Sequence, residues 1–244
     1  MSALPRFALP ALSLLMACST SIAGEDEGVE ADSSELRRYE DANRERPEVG
    51  VLRRDGSYCT ATLIGPRTVL TAAHCFGFSS SIGAAHLPPL ATFTIERADG
   101  RTIAYGIHRF RADATVINVK FDLAVAQLDV AVTPDVAVPA SIAADWPSER
   151  LTVYGYGRYG AGCKNANTEM TKRKTTVPPS FPWVKATTCP GDSGGPYFRG
   201  TSSEIVATVK GDGLGLEWVG DAVGHRDWIL ARREEAERGA LTID

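Results

Sequence analysis

The sequence predicts an all-β fold, built as a sandwich or a pair of barrels and followed by one C-terminal helix. Two observations carry this. Short β-rich runs recur at modest spacing between residues 49 and 209, with turn signals between them. Only the last stretch, residues 225–238, combines helical composition with an apolar stripe, through Trp228, Ile229 and Ala231. Strands are expected over residues 49–52, 58–64, 68–72, 91–97, 101–107, 123–128, 151–155, 184–188 and 205–209. Asp55-Gly56, Gly65-Pro66, Asp99-Gly100 and Pro178-Pro179 punctuate them as turns, because Gly supplies positive φ and Pro presets its own. No internal repeat is present. The 244 residues suffice for one domain with a real core and a short appendage. An apolar fraction of 43% beside 23% charged residues excludes wholesale disorder. The formal charge of -4 implies no particular partner, and no basic block interleaved with aromatics supports nucleic-acid binding. Lys172-Arg173-Lys174 reads as a solvated strand or loop surface.

The first 46 residues differ from the rest. Behind Arg6, residues 7–17 are mostly apolar, too short a run to span a bilayer as a helix and fitting for an export signal over residues 1–23. Two processing routes are open. Leu15-Met16-Ala17-Cys18 resembles a bacterial lipoprotein box, which makes Cys18 a lipidation candidate and its lipid the one expected membrane attachment. Ser21-Ile22-Ala23 offers small residues for cleavage before Gly24. Residues 24–46 are polar and charged and read as a linker or pro-segment, partly helical near residues 34–42. Residues 47–244 form the main domain. Apart from Cys18, the chain holds Cys59, Cys75, Cys163 and Cys189, an even number that suits two disulfides in an exported protein. Three pairings are possible. No CxxC pair occurs and the histidines are scattered, so neither a metal nor a cofactor is expected.

The chemistry gathers around Gly191-Asp192-Ser193-Gly194-Gly195-Pro196. Glycines flanking a serine let the backbone bend sharply and a substrate lie against it. The amides of Gly191 and Ser193, if they converge, form an oxyanion hole for a carbonyl under attack. Ser193 as a nucleophile needs a base, and the base needs an acid that fixes its tautomer. Of four histidines, His74 has the most rigid setting, in Thr71-Ala72-Ala73-His74-Cys75 directly after an apolar strand; His86, His108 and His225 are rivals. Asp122 is the favoured acid because the strand-like run Leu123-Ala124-Val125-Ala126-Gln127-Leu128 anchors it; Asp113, Asp129 and Asp135 are rivals.

These three motifs, in this order, resemble those of the chymotrypsin or trypsin family of serine endopeptidases, whose triad is a standard example of nucleophilic catalysis. Tyr154-Gly155-Tyr156-Gly157 also resembles that family's Gly-Trp-Gly strand end. The resemblance runs from about Pro47 to the C-terminal helix. It implies two six-stranded antiparallel β-barrels of chymotrypsin-like type with a C-terminal helix, His74 and Asp122 coming from the first barrel and Ser193 from the second. It implies peptide-bond hydrolysis in protein or peptide substrates, with His74 as base, Asp122 as its orienting acid and an acyl-enzyme on Ser193. It also implies the disulfide Cys59 to Cys75, which leaves Cys163 to pair with Cys189.

Departures from the family pattern qualify this. Family members commonly begin with Ile-Val-Gly-Gly or similar, whose α-amine pairs with the acid before the nucleophile, here Asp192. No such tetrapeptide precedes Pro47 at the expected distance, and Ile22-Ala23-Gly24-Glu25 is a faint echo too far upstream. The partner of this activation acid is therefore open. The Ser-Trp-Gly segment that binds substrate backbone is replaced by Val206-Ala207-Thr208-Val209-Lys210-Gly211-Asp212. Specificity in the family depends on the residue six before the nucleophile, which is Thr187; with Thr188 beside it, no negative charge is offered, and a neutral P1 side chain is expected. The other reading is a catalytically silent pseudoprotease acting as a binding or adhesion module on the same fold. An esterase fold is disfavoured by the absence of Gly-x-Ser-x-Gly and by the order of the three residues.

Overall fold

Alternating burial along short strands builds two sheets in the computed structural model. It describes residues 40–77, 82–84, 89–113, 122–179, 183–185, 188–213 and 216–241, which fall within one compact unit, Ser33–Asp244. In the first half, β2 (Val49–Arg54), β3 (Ser57–Gly65), β4 (Thr68–Thr71), β6 (Ala91–Glu96), β7 (Thr102–Ala112) and β8 (Ala124–Leu128) run in the order β7-β6-β2-β3-β4-β8. A β7–β8 pairing closes this barrel, and β5 (Ile82–Ala84) adds to the β7 edge. Period-two patterning sets its interior: Ala91, Phe93 and Ile95 are buried while Thr92, Thr94 and Glu96 between them are half-buried. Asp55 and Gly56 join β2 to β3 with φ of 48° and 79°, the mirror-image turn whose twist matches that of the flanking strands.

The second sheet contains β10 (Leu151–Gly155), β11 (Arg173–Val177), β12 (Trp183–Lys185), β13 (Pro196–Arg199), β14 (Glu204–Gly213) and β15 (Leu216–Asp221), in the order β11-β10-β13-β14-β15-β12. To it are added β1 (Glu40–Asp41) beside β11 and a short parallel strand, β9 (Ser141–Ile142), beside β14. Among the described residues the fold is thus mostly β, with one closed six-stranded barrel, a second sheet and one α-helix, α1 (Arg226–Glu237). Two strands serve two cores at once. On β4, Val69 faces the first barrel's interior and Leu70 the layer between the sheets; on β8, Ala126 and Val125 divide in the same way. That middle layer also takes Tyr154, Tyr156, Phe198 and, from α1, Ile229. The Glu237 carboxylate fastens α1 to the first barrel, accepting from the Arg67 amide at 2.9 Å and the Thr68 hydroxyl at 2.6 Å.

Several expectations change. Helical character near residues 34–42 does not extend over the described part: Glu40 and Asp41 form a strand on Lys174 and Arg173. Residues 40–46, inside the stretch read as linker or pro-segment, pack against the second sheet, with Ala42 fully buried. Lys172 is not a solvated surface residue. It is fully buried, and its ammonium donates to the Glu45 and Arg46 carbonyls at 2.7 and 2.8 Å, which replaces the water it gives up. β7 runs five residues beyond its expected end because a register shift between Ile107 and Arg109 breaks the apolar alternation. Strands β5, β9, β11, β13 and β15 fall outside the expected ranges. The signal, Cys18 and residues 24–39 lie outside the described residues.

Both disulfides form, Cys59–Cys75 and Cys163–Cys189, with Cα atoms 6.2 and 5.6 Å apart. The first closes a loop of sequence separation 16. Loop-closure entropy puts its contribution at about 3 kcal/mol. Replacing both Cys59 and Cys75 by Ser is therefore expected to lower the unfolding free energy by up to that amount, read as a lower urea midpoint with a steeper slope, because the unfolded chain without the cross-link is more expanded.

Candidate active site

His74 is placed by the register of two strands. Thr71, the last residue of β4, pairs with Ala124, the first of β8, so the chain leaving β4 passes Asp122, which precedes β8. A short 3-10 turn, Ala73–Phe76, follows, and the disulfide from Cys75 to Cys59 on β3 fixes it. Asp122, 6% exposed, then grips the turn three ways. Its carbonyl accepts from the Ala73 amide at 3.2 Å. Its Oδ1 accepts from the His74 amide at 2.8 Å, and its Oδ2 lies 2.6 Å from His74 Nδ1. A carboxylate at Nδ1 demands the proton there, which leaves Nε2 as the imidazole's acceptor. The Cys59 and Cys75 sulfurs lie beside His74 but are bonded to each other, so they offer no thiolate to a metal.

Ser193 sits on a turn whose peptides are anchored one by one. The Pro190 carbonyl accepts from the Arg158 amide at 3.0 Å, and in a trans peptide the Gly191 N–H then points the opposite way. The Asp192 carbonyl accepts from the Gly195 amide at 2.8 Å, which turns the Ser193 N–H away in the same manner. Gly191 has φ of 102°, and a Cβ there would collide with the Tyr58 ring and the Gly157 backbone. Glycine is thus required there by geometry. Beside the turn, Val209 on β14 exchanges hydrogen bonds with Gly194 and Gly195 at 2.7 and 2.8 Å.

The two halves meet at Thr60, a fully buried residue of β3 that sequence reasoning missed. Its amide donates to the Ser193 carbonyl at 2.8 Å and its hydroxyl to the Gly191 carbonyl at 2.9 Å. The same hydroxyl accepts from the Tyr156 amide at 3.1 Å, while Thr71 Oγ1 donates to the Thr60 carbonyl at 2.8 Å. His74, Gly191 and Ser193 consequently line one cleft of about 500 Å³, together with Tyr58 and the Cys59–Cys75 bridge.

Of the rival acids, Asp113 lies 3.9 Å from His225 Nε2, Asp135 lies 3.6 Å from Arg97, and Asp129 accepts from the Val130 amide. Thr188 is half-buried next to Cys189, whereas Thr187 and His86 lie outside the described residues. Lys210 occupies the substituted segment on β14, where burial pushes its ammonium down and the Asp122 charge opposes that. Asp192 is 2% exposed, and its carboxylate accepts from the Gly157 amide at 2.7 Å and the Cys189 amide at 2.8 Å. Two main-chain amides thus take up part of the hydrogen-bonding capacity of this buried carboxylate.

The trypsin family model matches residues 37–215 of the chain. The chain belongs to the trypsin family. As a member it is a serine-type endopeptidase, a hydrolase of protein or peptide substrates. No curated protein matches it. Among solved structures it is similar to mouse neuropsin, described as a serine protease expressed in the limbic system of mouse brain, at 16% identity and a TM-score of 0.61. That match covers 80% of this chain and 98% of neuropsin. At such identity the likeness speaks for the fold, and it agrees with the trypsin-family architecture described above.

Asp192→Asn tests the acid's part in this site. An amide side chain presents an NH2 group to one of the two backbone donors, which leaves that N–H unpartnered at a cost of about 1–3 kcal/mol. The variant is expected to melt at lower temperature and to turn over a peptide substrate more slowly, read by calorimetry and by kcat.

Proposed function

We propose that this trypsin-family chain is an exported endopeptidase that cleaves peptide bonds after neutral side chains, using Ser193, His74 and Asp122. The observation that carries the reading is the contact of 2.6 Å between Asp122 Oδ2 and His74 Nδ1, which leaves His74 Nε2 to accept a proton. Ser193 Oγ attacks the scissile carbonyl as His74 Nε2 takes its proton. The amides of Gly191 and Ser193 hold the oxyanion, a contribution of about a hundredfold to a thousandfold for one donor. The carbon–nitrogen bond then breaks, the leaving amine takes the proton from His74, and an acyl group remains on Ser193. Water, deprotonated by the same imidazole, attacks the acyl group and releases the acid. Asp122 stays ionised throughout, steadying the imidazolium.

A neutral preference follows from Thr187 and Thr188, which supply no charge to pair with lysine or arginine. Export is supported by the apolar leader and by two disulfides, which persist in oxidising compartments. Among the described residues no helix is long and apolar enough to cross a membrane. Acylation at Cys18 and cleavage before Gly24 are competing routes for processing the leader.

A fluorophosphonate probe is expected to label the wild-type chain and not Ser193→Ala. An unlabelled wild type would instead support a binding module without turnover. Mass spectrometry of the mature N-terminus separates an acylated Cys18 from a start at Gly24, and a chain that retains Met1 would contradict export by either route.

A further inference from the structure

A buried polar cluster lies behind the Ser193 turn and takes no part in the chemistry above. Asn167 is 4% exposed. Its Nδ2 donates to the carbonyls of Tyr156 and Thr171, both at 2.8 Å, and its Oδ1 accepts from the Thr171 amide at 3.0 Å. The Tyr156 carbonyl shares a peptide unit with the Gly157 N–H, and in a trans unit the two point opposite ways. Asn167 thus holds one end of the unit whose other end donates to Asp192 Oδ1 at 2.7 Å.

Lys172, one residue beyond Thr171, extends the cluster. Its Nζ lies 5.7 Å from the centre of the Tyr156 ring as well as on the Glu45 and Arg46 carbonyls. Its own amide donates to Asn43 Oδ1 at 3.0 Å, and its carbonyl accepts from the Ala42 amide at 2.9 Å. Residues 42–46 therefore form a strap around one buried ammonium. Arg44 and Arg46 on that strap have φ of 69° and 49°. L-residues adopt such angles only where their surroundings over-determine them.

We propose that Asn167 and Lys172 are positioning residues for the oxyanion-binding turn: Asn167 aims the Tyr156–Gly157 peptide at Asp192, and the Lys172 ammonium holds the strap and Tyr156 around it. The proposal rests on the reading of the Gly191 and Ser193 amides as oxyanion donors. Neither residue lines the cleft, so each acts through Asp192. Burial pushes Lys172 down to about 8, against the pull of Glu96, Glu48 and Glu45. The groups that act on it are Glu45 from the strap, Glu48 two residues beyond the strap, Glu96 from β6 and the Tyr156 ring after β10. Two of the acids are engaged elsewhere: Glu45 bonds Lys174 at 2.8 Å and Glu48 lies 3.5 Å from Arg46. Above its titration point the amine loses its charge-assisted bonds and its attraction to the ring, and the strap loosens.

The test measures kcat and KM of the full chain on a chromogenic peptide from about pH 6 to about pH 10. Asn167→Asp keeps the shape but, once ionised, cannot donate to Tyr156. It is expected to lower kcat about 10- to 100-fold while KM moves less than about threefold, the signature of lost transition-state stabilisation. The wild type is expected to show an alkaline limb in kcat near about pH 8, which Lys172→Arg abolishes because a guanidinium keeps its charge. If Lys172→Arg fails to fold, NMR titration of isotope-labelled lysines in the wild type must show one lysine titrating with that limb. Wild-type kcat in Asn167→Asp overturns the proposal, as does a limb that survives in Lys172→Arg or vanishes instead in Lys210→Met. Failure of the wild type to label at Ser193 is a separate result, which removes the reading beneath it.

Discussion

The carboxylate of Asp192 is the charge around which the catalytic half of this fold is arranged. A buried carboxylate is costly unless donors replace its lost water, and here the amides of Gly157 and Cys189 do so. Those donors belong to separate stretches of chain, one just beyond β10 and the other stapled to Cys163. A single charge thereby fixes the turn, the end of a strand and a disulfide loop against each other. Gly157 is glycine for the same reason, since a Cβ there would overlap the Asp192 side chain. Gly155 obeys the same limit, since a Cβ there would also overlap the Asp192 side chain.

The second constraint is the joint between the sheets. Catalysis by this family requires a base from one sheet and a nucleophile from the other to stay in register. Thr60 supplies that register with a short side chain, which donates to Gly191 and accepts from Tyr156 while its amide holds Ser193. Three bonds from one buried residue leave little freedom for the sheets to shift at the cleft. The shared apolar layer through Leu70, Val125 and Tyr156 keeps water from competing for them.

His74, Asp122 and Ser193 stand out in sequence because each lies in a local pattern, an apolar strand before His74, another after Asp122 and glycines around Ser193, and the structure sets His74 against Asp122 and puts His74 and Ser193 on one cleft. Thr60, Asn167 and Lys172 gave no such signal. Each is an ordinary polar residue whose role comes from what the fold brings to it, and Lys172 was read as solvated because its neighbours Arg173 and Lys174 share its charge. The barrel fold was visible in the short β-rich runs, but particular strands were hidden for physical reasons. β13 begins at Pro196 directly behind a glycine turn, which masks a strand only four residues long. The far end of β7 alternates apolar residues with Arg109 and Arg111 across a bulge, so no single period describes it.

The helix has a consequence for the order of events in synthesis. α1 follows every strand in the chain, yet its Glu237 caps the turn between β3 and β4, and Leu241 behind it reaches Gln127 on β8. The barrel made early thus receives contacts from a segment made after all the described strands. Until that segment emerges, the half carrying His74 and Asp122 lacks its clasp. A nascent chain that has not yet passed α1 accordingly carries that half of the fold unclasped, however complete its strands.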